Sequence, residues 1–330
     1  MIYDNMKLNK TELKVLAFLL RQREKVTLGQ LADNLGIKKS NASVYVKKLE
    51  KYRLVTVSKT GRTKQISGSY AHFLGFSRVR EKLPHLKLED ILGGKMPYFL
   101  AYLDWLVKKL IAERKPVEFR IKDIGLPAIT TRRILAKLSS LGIVYSPSKG
   151  WYSARKEAGE TLTFCSEILT GIYVAEAEGE LKGITDIRIS FENPEKAECI
   201  FITDRKNSPK TYRPTAYTAL GGYGIKLISA GRYYYTNIRP EITDVVIHML
   251  AVYNDARSVM YVCALLLKHP FEYRRLFGKE NRFGISDGFI SDLIGFIETK
   301  GRKIPEGFPS WEEVESMAKD YGMTGAVAHG

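Results

Sequence analysis

The residues best suited to chemistry in this chain are cations and small polar side chains crowded into GIKKSNASVYVKKLEKYRLV, Gly36 to Val55. Lys38, Lys39 and Lys48 there, and Lys59, Arg62 and Lys64 in the following turn KTGRTK, carry the charge that holds phosphate oxygens. Ser40, Asn41, Val44 and Lys47 recur at helical spacing and are of the size and type that meet base edges in a DNA major groove. Thr130, Arg132, Arg133 and Lys137, with Lys149 beyond them, form a second set of similar composition. An Asn suits adenine's paired donor and acceptor, and an Arg suits guanine. The chemistry implied is reversible binding of a polyanion, in which phosphate contacts fix the register and base contacts carry the sequence.

Bond-breaking chemistry needs convergent reactive groups, and the chain is expected to be no enzyme. Asp186, then Glu198 just before the strand CIFITDRK, approach the Asp and Glu-x-Lys arrangement of a metal nuclease, but Ile200 stands where the Lys would steady the attacking water. GGYG at Gly221 to Gly224 lacks the GxxxxGK[ST] pattern of a phosphate cradle and reads as a turn. His72, His85, His248, His269 and His329 have no metal-ligand spacing, and His248 within an apolar helix reads as a hydrogen-bonded core residue. Tyr233 to Tyr235 read as strand aromatics, one face packed and one at an exposed edge. Cys165, Cys199 and Cys263 form no CxxC pair and are expected to be buried, reduced thiols. Neither a cofactor nor a metal is called for.

The elements that must position the first cationic set follow from periodicity. A helix over Ser40 to Tyr52 turns Ala42, Tyr45, Val46 and Leu49 inward. A short helix over Leu28 to Asn34 precedes it and ends at the Gly36 turn, which is the helix-turn-helix plan. Leu54 to Ser58 and the Gly-centred turn after it predict a basic hairpin. A first helix, Lys10 to Arg23, brings Leu13, Leu16, Ala17 and Leu20 beneath the pair, with Asn9 or Thr11 as its cap. On these residues Leu8 to Ser67 resembles a winged helix-turn-helix domain of the MarR-like kind found in bacterial and archaeal regulators. That resemblance implies DNA binding but no particular target.

The plan then repeats. A strongly apolar helix from Pro97 to Glu113 leads to PAITTRRILAKLSSLGIV, and KKLEKYRLV (Lys47 to Val55) lies over AKLSSLGIV (Ala136 to Val144). In that register Thr131, Ile134, Leu135 and Leu138 point inward. Strands at Ile143 to Ser146 and Trp151 to Ser153 flank the turn PSKG as a tighter wing. The copy reads either as a second DNA-binding head or as a degenerate packing or dimerisation domain. Charge follows the same division. The chain of 330 residues carries +16 overall. Up to Ala158 it has 32 Lys and Arg against 13 Asp and Glu, a net of +19, and beyond it 20 against 23, a net of −3.

From Gly159 the texture changes to a helix, alternating strands (IRISF, AECIFITD, GIKLISAG, RYYYTNI) and then four helical runs, an α+β pattern. The run IRPEITDVVIHMLAVYNDARSVMYVCALLL and the element order resemble the C-terminal domain of AbiEi-type antitoxins, which implies a nucleotidyltransferase-like toxin as partner. The fold expected is thus α+β and multidomain: a winged helix over 1–68, a linker over 69–95, a second winged helix over 96–158 and an α+β domain over 159–330. The function expected is sequence-specific binding of double-stranded DNA by a transcriptional regulator. An antitoxin that also represses its own operon is the alternative. The C-terminal domain would supply dimerisation as a homodimer, an effector pocket or a partner surface. No membrane-length apolar run and no signal-peptide core are present, so a cytoplasmic location is expected.

Overall fold

Asn9 accepts the amides of Thr11 and Glu12 while Glu12 returns its carboxylate to the Asn9 amide, and this reciprocal cap starts α1 (Lys10–Leu19). The computed structural model describes residues 8–22, 24–61, 63–225, 227, 231–269, 273–277 and 279–321. The chain divides into two compact units, residues 1–176 with 191–197, and residues 177–190 with 198–330.

In the first unit β1 (Val26–Thr27) runs into α2 (Leu28–Leu35), opened by a second reciprocal cap between Thr27 and Gln30. Gly36 ends α2 at φ 62, a left-handed conformation that a Cβ would strain. Then come α3 (Lys39–Lys51) and the hairpin of β2 (Val55–Thr60) and β3 (Thr63–Gly68), which joins β1 in the order β1-β3-β2. Ile66 is the buried hub of that sheet, facing Val26 on one side and Val57 on the other.

Residues 69–95, expected as a linker, are instead structured as α4 (Tyr70–Lys82) and α5 (Leu88–Leu92). Phe76, Val79, Leu83, Leu86, Leu88, Ile91 and Leu92 are buried in the same core as α1 and α3. Pro84 and Gly93-Gly94 lie at the ends of these helices and punctuate a packed segment. Beyond them α6 (Met96–Ala112), β4 (Phe119–Arg120), a 3₁₀ turn (Ile121–Ile124), α7 (Ala128–Ser140), β5 (Val144–Tyr145) and β6 (Trp151–Ala154) follow one another. Their strands order β4-β6-β5, the arrangement of the first sheet over again.

The next helix, α8 (Gly159–Ala177), packs with the first unit although its sequence reads as the start of the second. Leu162, Phe164, Cys165, Ile168 and Ile172 on it are buried in the first core. Helices α4 and α8 approach closely at Gly75, where an added Cβ would stand 2.8 Å from the Phe164 ring. The rings of Phe76 and Phe164 lie 5.9 Å apart beside it.

In the second unit β7 (Ile184–Ser190), β8 (Glu198–Thr203), β9 (Arg213–Pro214) and β10 (Tyr233–Thr236) form an antiparallel sheet in the order β7-β8-β10-β9. A short α9 (Ala216–Ala219) precedes β10, and α10 (Ile242–Val252), α11 (Ala256–Lys268), α12 (Asp287–Glu298) and α13 (Trp311–Asp320) follow it. Ile200, Ile202 and Tyr234 from the sheet share a core with Val245, Val262, Leu293 and Val314 from these helices. Half of the strand expected over GIKLISAG falls outside the described residues. Among the described residues no helix is long and apolar enough to cross a membrane. Cys165, Cys199 and Cys263 are free and buried.

Candidate nucleic-acid interface

Helix α3 is anchored by Ala42, Val46 and Leu49, all buried, with Tyr45 half-buried beside them. This anchoring turns the opposite face outward. Lys38, Lys39, Ser40, Asn41, Val44 and Lys47 are exposed along it. Lys48 behaves otherwise. Its Nζ donates to Glu12 Oε2 at 2.9 Å, and Glu12, which is buried, also accepts the Asn9 amide. A buried carboxylate must be paired, so Lys48, expected to hold phosphate, is engaged as a strut between α3 and α1.

The far end of α3 is fixed by Tyr52, which is buried and donates its hydroxyl to Glu176 Oε1 at 3.5 Å. Burial, and then the Glu176 charge, push the Tyr52 phenol up to about 12, so it remains a donor across the physiological range. Burial also raises the Glu176 carboxyl above its ordinary value.

The hairpin sets Lys59 directly opposite Lys64, both exposed. Thr60 and Thr63 close it around Gly61, at φ 61, and Arg62 lies outside the described residues. Lys25 reaches the same hairpin, donating to Ser58 Oγ at 3.2 Å. Like charges facing each other across a ladder cost stability. An anion laid along the hairpin removes that cost.

In the second set Thr131, Leu135 and Leu138 are buried and Ile134 is half-buried. Arg132, Arg133 and Lys137 are exposed, Thr130 is half-buried, and Lys149 is exposed in the turn between β5 and β6. The Arg120 guanidinium lies over the Trp151 ring at 4.7 Å, and that of Arg155 over Tyr145 at 5.6 Å. Sequence reasoning missed Ile129, which is 82% exposed in the first turn of α7. The available signal was an isoleucine lying off the inward spacing of Thr131, Leu135 and Leu138.

The carboxylates weighed as a nuclease pair are not brought together. Glu198 pairs with Ser190 and Asp186 with Ile202, four residues apart along β7 or about 13 Å. Asp186 is bridged by Arg188 at 3.4 Å. Glu198 instead joins a polar chain in the second unit. His248, fully buried, places Nε2 2.7 Å from Glu198 Oε1 and Nδ1 2.6 Å from Thr215 Oγ1. Arg282 donates to Glu198 at 2.9 Å and to Asp244 at 3.2 Å, and Lys279 donates to Asp244 at 2.8 Å. Among the described residues no three His, Cys, Asp or Glu side chains gather to hold a metal ion.

Residues 6–66 match the sequence model of the MarR family. That segment, α1 through nearly all of β3, is a MarR-family winged-helix domain. No curated protein matches the chain.

Proposed function

We propose that this protein is a transcriptional regulator that binds duplex DNA by sequence. The family match carries the reading, because it covers the segment in which α3 turns Lys38, Lys39, Ser40, Asn41 and Lys47 outward beside the Lys59–Lys64 hairpin. MarR-family domains are DNA-binding domains of regulators. In this reading α3 lies in the major groove and the hairpin rests on phosphates. No observation favours a toxin partner over it.

The segment from α6 to β6 is proposed as a second winged helix. The strand order β4-β6-β5, its antiparallel pairings and the exposed cations of α7 support that assignment. Arg132, Arg133 and Lys137 would then meet the duplex as well, with Lys149 on its wing.

The test is selection of duplexes from a random pool by the full chain, followed by titration of a selected site across salt. Log affinity should fall with log salt at about −0.9 per phosphate neutralised, over at least about five phosphates. A flat salt dependence, or a pool that returns no preferred sequence, would sink the proposal.

A further inference from the structure

Two apolar side chains stand bare on the helix faces that carry the exposed cations. Val44 on α3 is 63% exposed, and Ile129 on α7 is 82% exposed. Neither is needed by the core, which Ala42, Val46 and Leu49 complete on α3 and Thr131, Leu135 and Leu138 on α7. Both are β-branched, a class that disfavours helix slightly, and both leave apolar surface in water. Their helix neighbours are polar or cationic: Asn41 and Lys47 lie three residues either side of Val44, and Arg132 and Arg133 lie three and four beyond Ile129. Pro127 caps α7, so Ile129 stands at its leading end, the part of a reading helix that reaches base edges.

A protein partner is a poor match for this pattern. The buried centre of a protein interface is apolar over a contiguous area and depleted of charge, whereas here each apolar side chain stands singly among polar and cationic neighbours. The complementary surface is anionic overall and carries isolated apolar points. The major groove of DNA has that character, its walls being phosphate and its one apolar group the C5-methyl of thymine. Resting on the DNA reading above, we infer that Val44 and Ile129 each read a thymine methyl, and so determine specificity at A·T positions that hydrogen bonding alone leaves underspecified.

Deoxyuridine substitution tests this directly, because it removes the methyl and leaves every hydrogen-bonding group in place. Each thymine of a duplex selected by the full chain is replaced singly, and binding is measured for the wild type, Val44→Ser and Ile129→Ser. Both sites are exposed, and thermal unfolding confirms that the variants fold. The wild type should weaken about fourfold at a few positions, the worth of one buried methyl, and be indifferent elsewhere. Val44→Ser should lose that sensitivity at some of these positions and Ile129→Ser at others. A scan that is flat for the wild type while binding is intact overturns the inference and spares the DNA reading. Sensitivity that survives a substitution unchanged at every position overturns the assignment of that residue. If Ile129→Ser instead converts a dimer to a monomer in sedimentation, Ile129 is a subunit contact and its assignment falls. Failure to bind any duplex would sink the DNA reading itself.

Discussion

Glu12 and Lys48 meet at 2.9 Å between α1 and α3, and the same carboxylate oxygen accepts the Asn9 amide that opens α1. One oxygen thus ties a helix cap to the outward helix. Replacing Lys48 with Met leaves a buried carboxylate without its cation and should cost about 1–3 kcal/mol of stability. DNA affinity and its salt slope should change little. A variant that folds as well as the wild type but whose salt slope falls by about one would return Lys48 to the phosphate-binding set.

The hairpin and the helix should fail differently. Lys59→Ala with Lys64→Ala removes a facing like-charge pair, so stability should hold or rise by a few tenths of a kcal/mol. All duplexes should bind more weakly by a similar factor, since groups that touch phosphate carry no base information. Asn41→Ala with Lys47→Ala should weaken binding by about 1–3 kcal/mol for each well-formed hydrogen-bonded pairing with a base that it abolishes, and only at certain base pairs. Binding of both double variants to a panel of single-base operator changes separates the two effects. A sequence preference that changes with the hairpin variant and not with the helix variant would place the reading surface elsewhere.

Gly75 lets α4 lie against α8, with the Phe164 ring where a side chain would be. Gly75→Val should therefore destabilise by about 1–3 kcal/mol through overpacking, despite the better helix propensity of Val. Phe164→Ala should cost about 3–5 kcal/mol by leaving a cavity. Chemical denaturation of the full chain measures both. An unchanged midpoint for Gly75→Val would mean the two helices separate readily. The same packing predicts that truncation at Ala158, which removes Phe164 and Ile168 from the first core, gives a poorly folded product.

Acid should act on the second unit. Burial alone would raise the Glu198 carboxyl, but the hydrogen bond and charge of His248, then those of Arg282, outweigh it and hold the group below its ordinary value. For Asp244 burial is likewise outweighed by Lys279, the Glu241 amide and Arg282. Both folded values thus lie below the unfolded ones of about 4.3 and 3.9. The stabilisation is therefore complete above those unfolded values and is lost as pH falls through the folded ones. Thermal unfolding between pH 3 and 7, in about half-unit steps, should show a fall confined to the acid end. Glu198→Gln should be less stable at neutral pH and less sensitive to acid. An unchanged acid profile would remove Glu198 from the cause.

Much of the first winged helix was legible because its punctuation is local. Thr27 with Gln30, Gly36 at its left-handed turn, and the Ala42, Val46, Leu49 spacing each decide their own neighbourhood. Residues 69–95 misled because Pro84 and Gly93-Gly94 signal breaks more loudly than Phe76, Val79 and Leu83 signal a buried face. Lys48 misled because its partner Glu12 lies 36 residues away. The polar chain of the second unit was hidden for the same reason, its bonds from Glu198 spanning 50 residues to His248 and 84 to Arg282. Strand β9, two residues ending in Pro214, has no periodicity to read.

A single buried core runs from Leu8 through α4, α5 and α6 to Ala175. It makes α3 and α7 parts of one body, where a flexible tether would have left the two helices free to swivel. On a double helix that difference is one of phase. Each added base pair rotates the next groove position by about 34–36°, so two reading helices fixed to one frame would engage together only at a particular azimuth. An operator read by both would be a measured length, and one inserted base pair between its halves would turn one helix away from its groove. The residues that sequence alone suggests as a joint would then serve as a ruler.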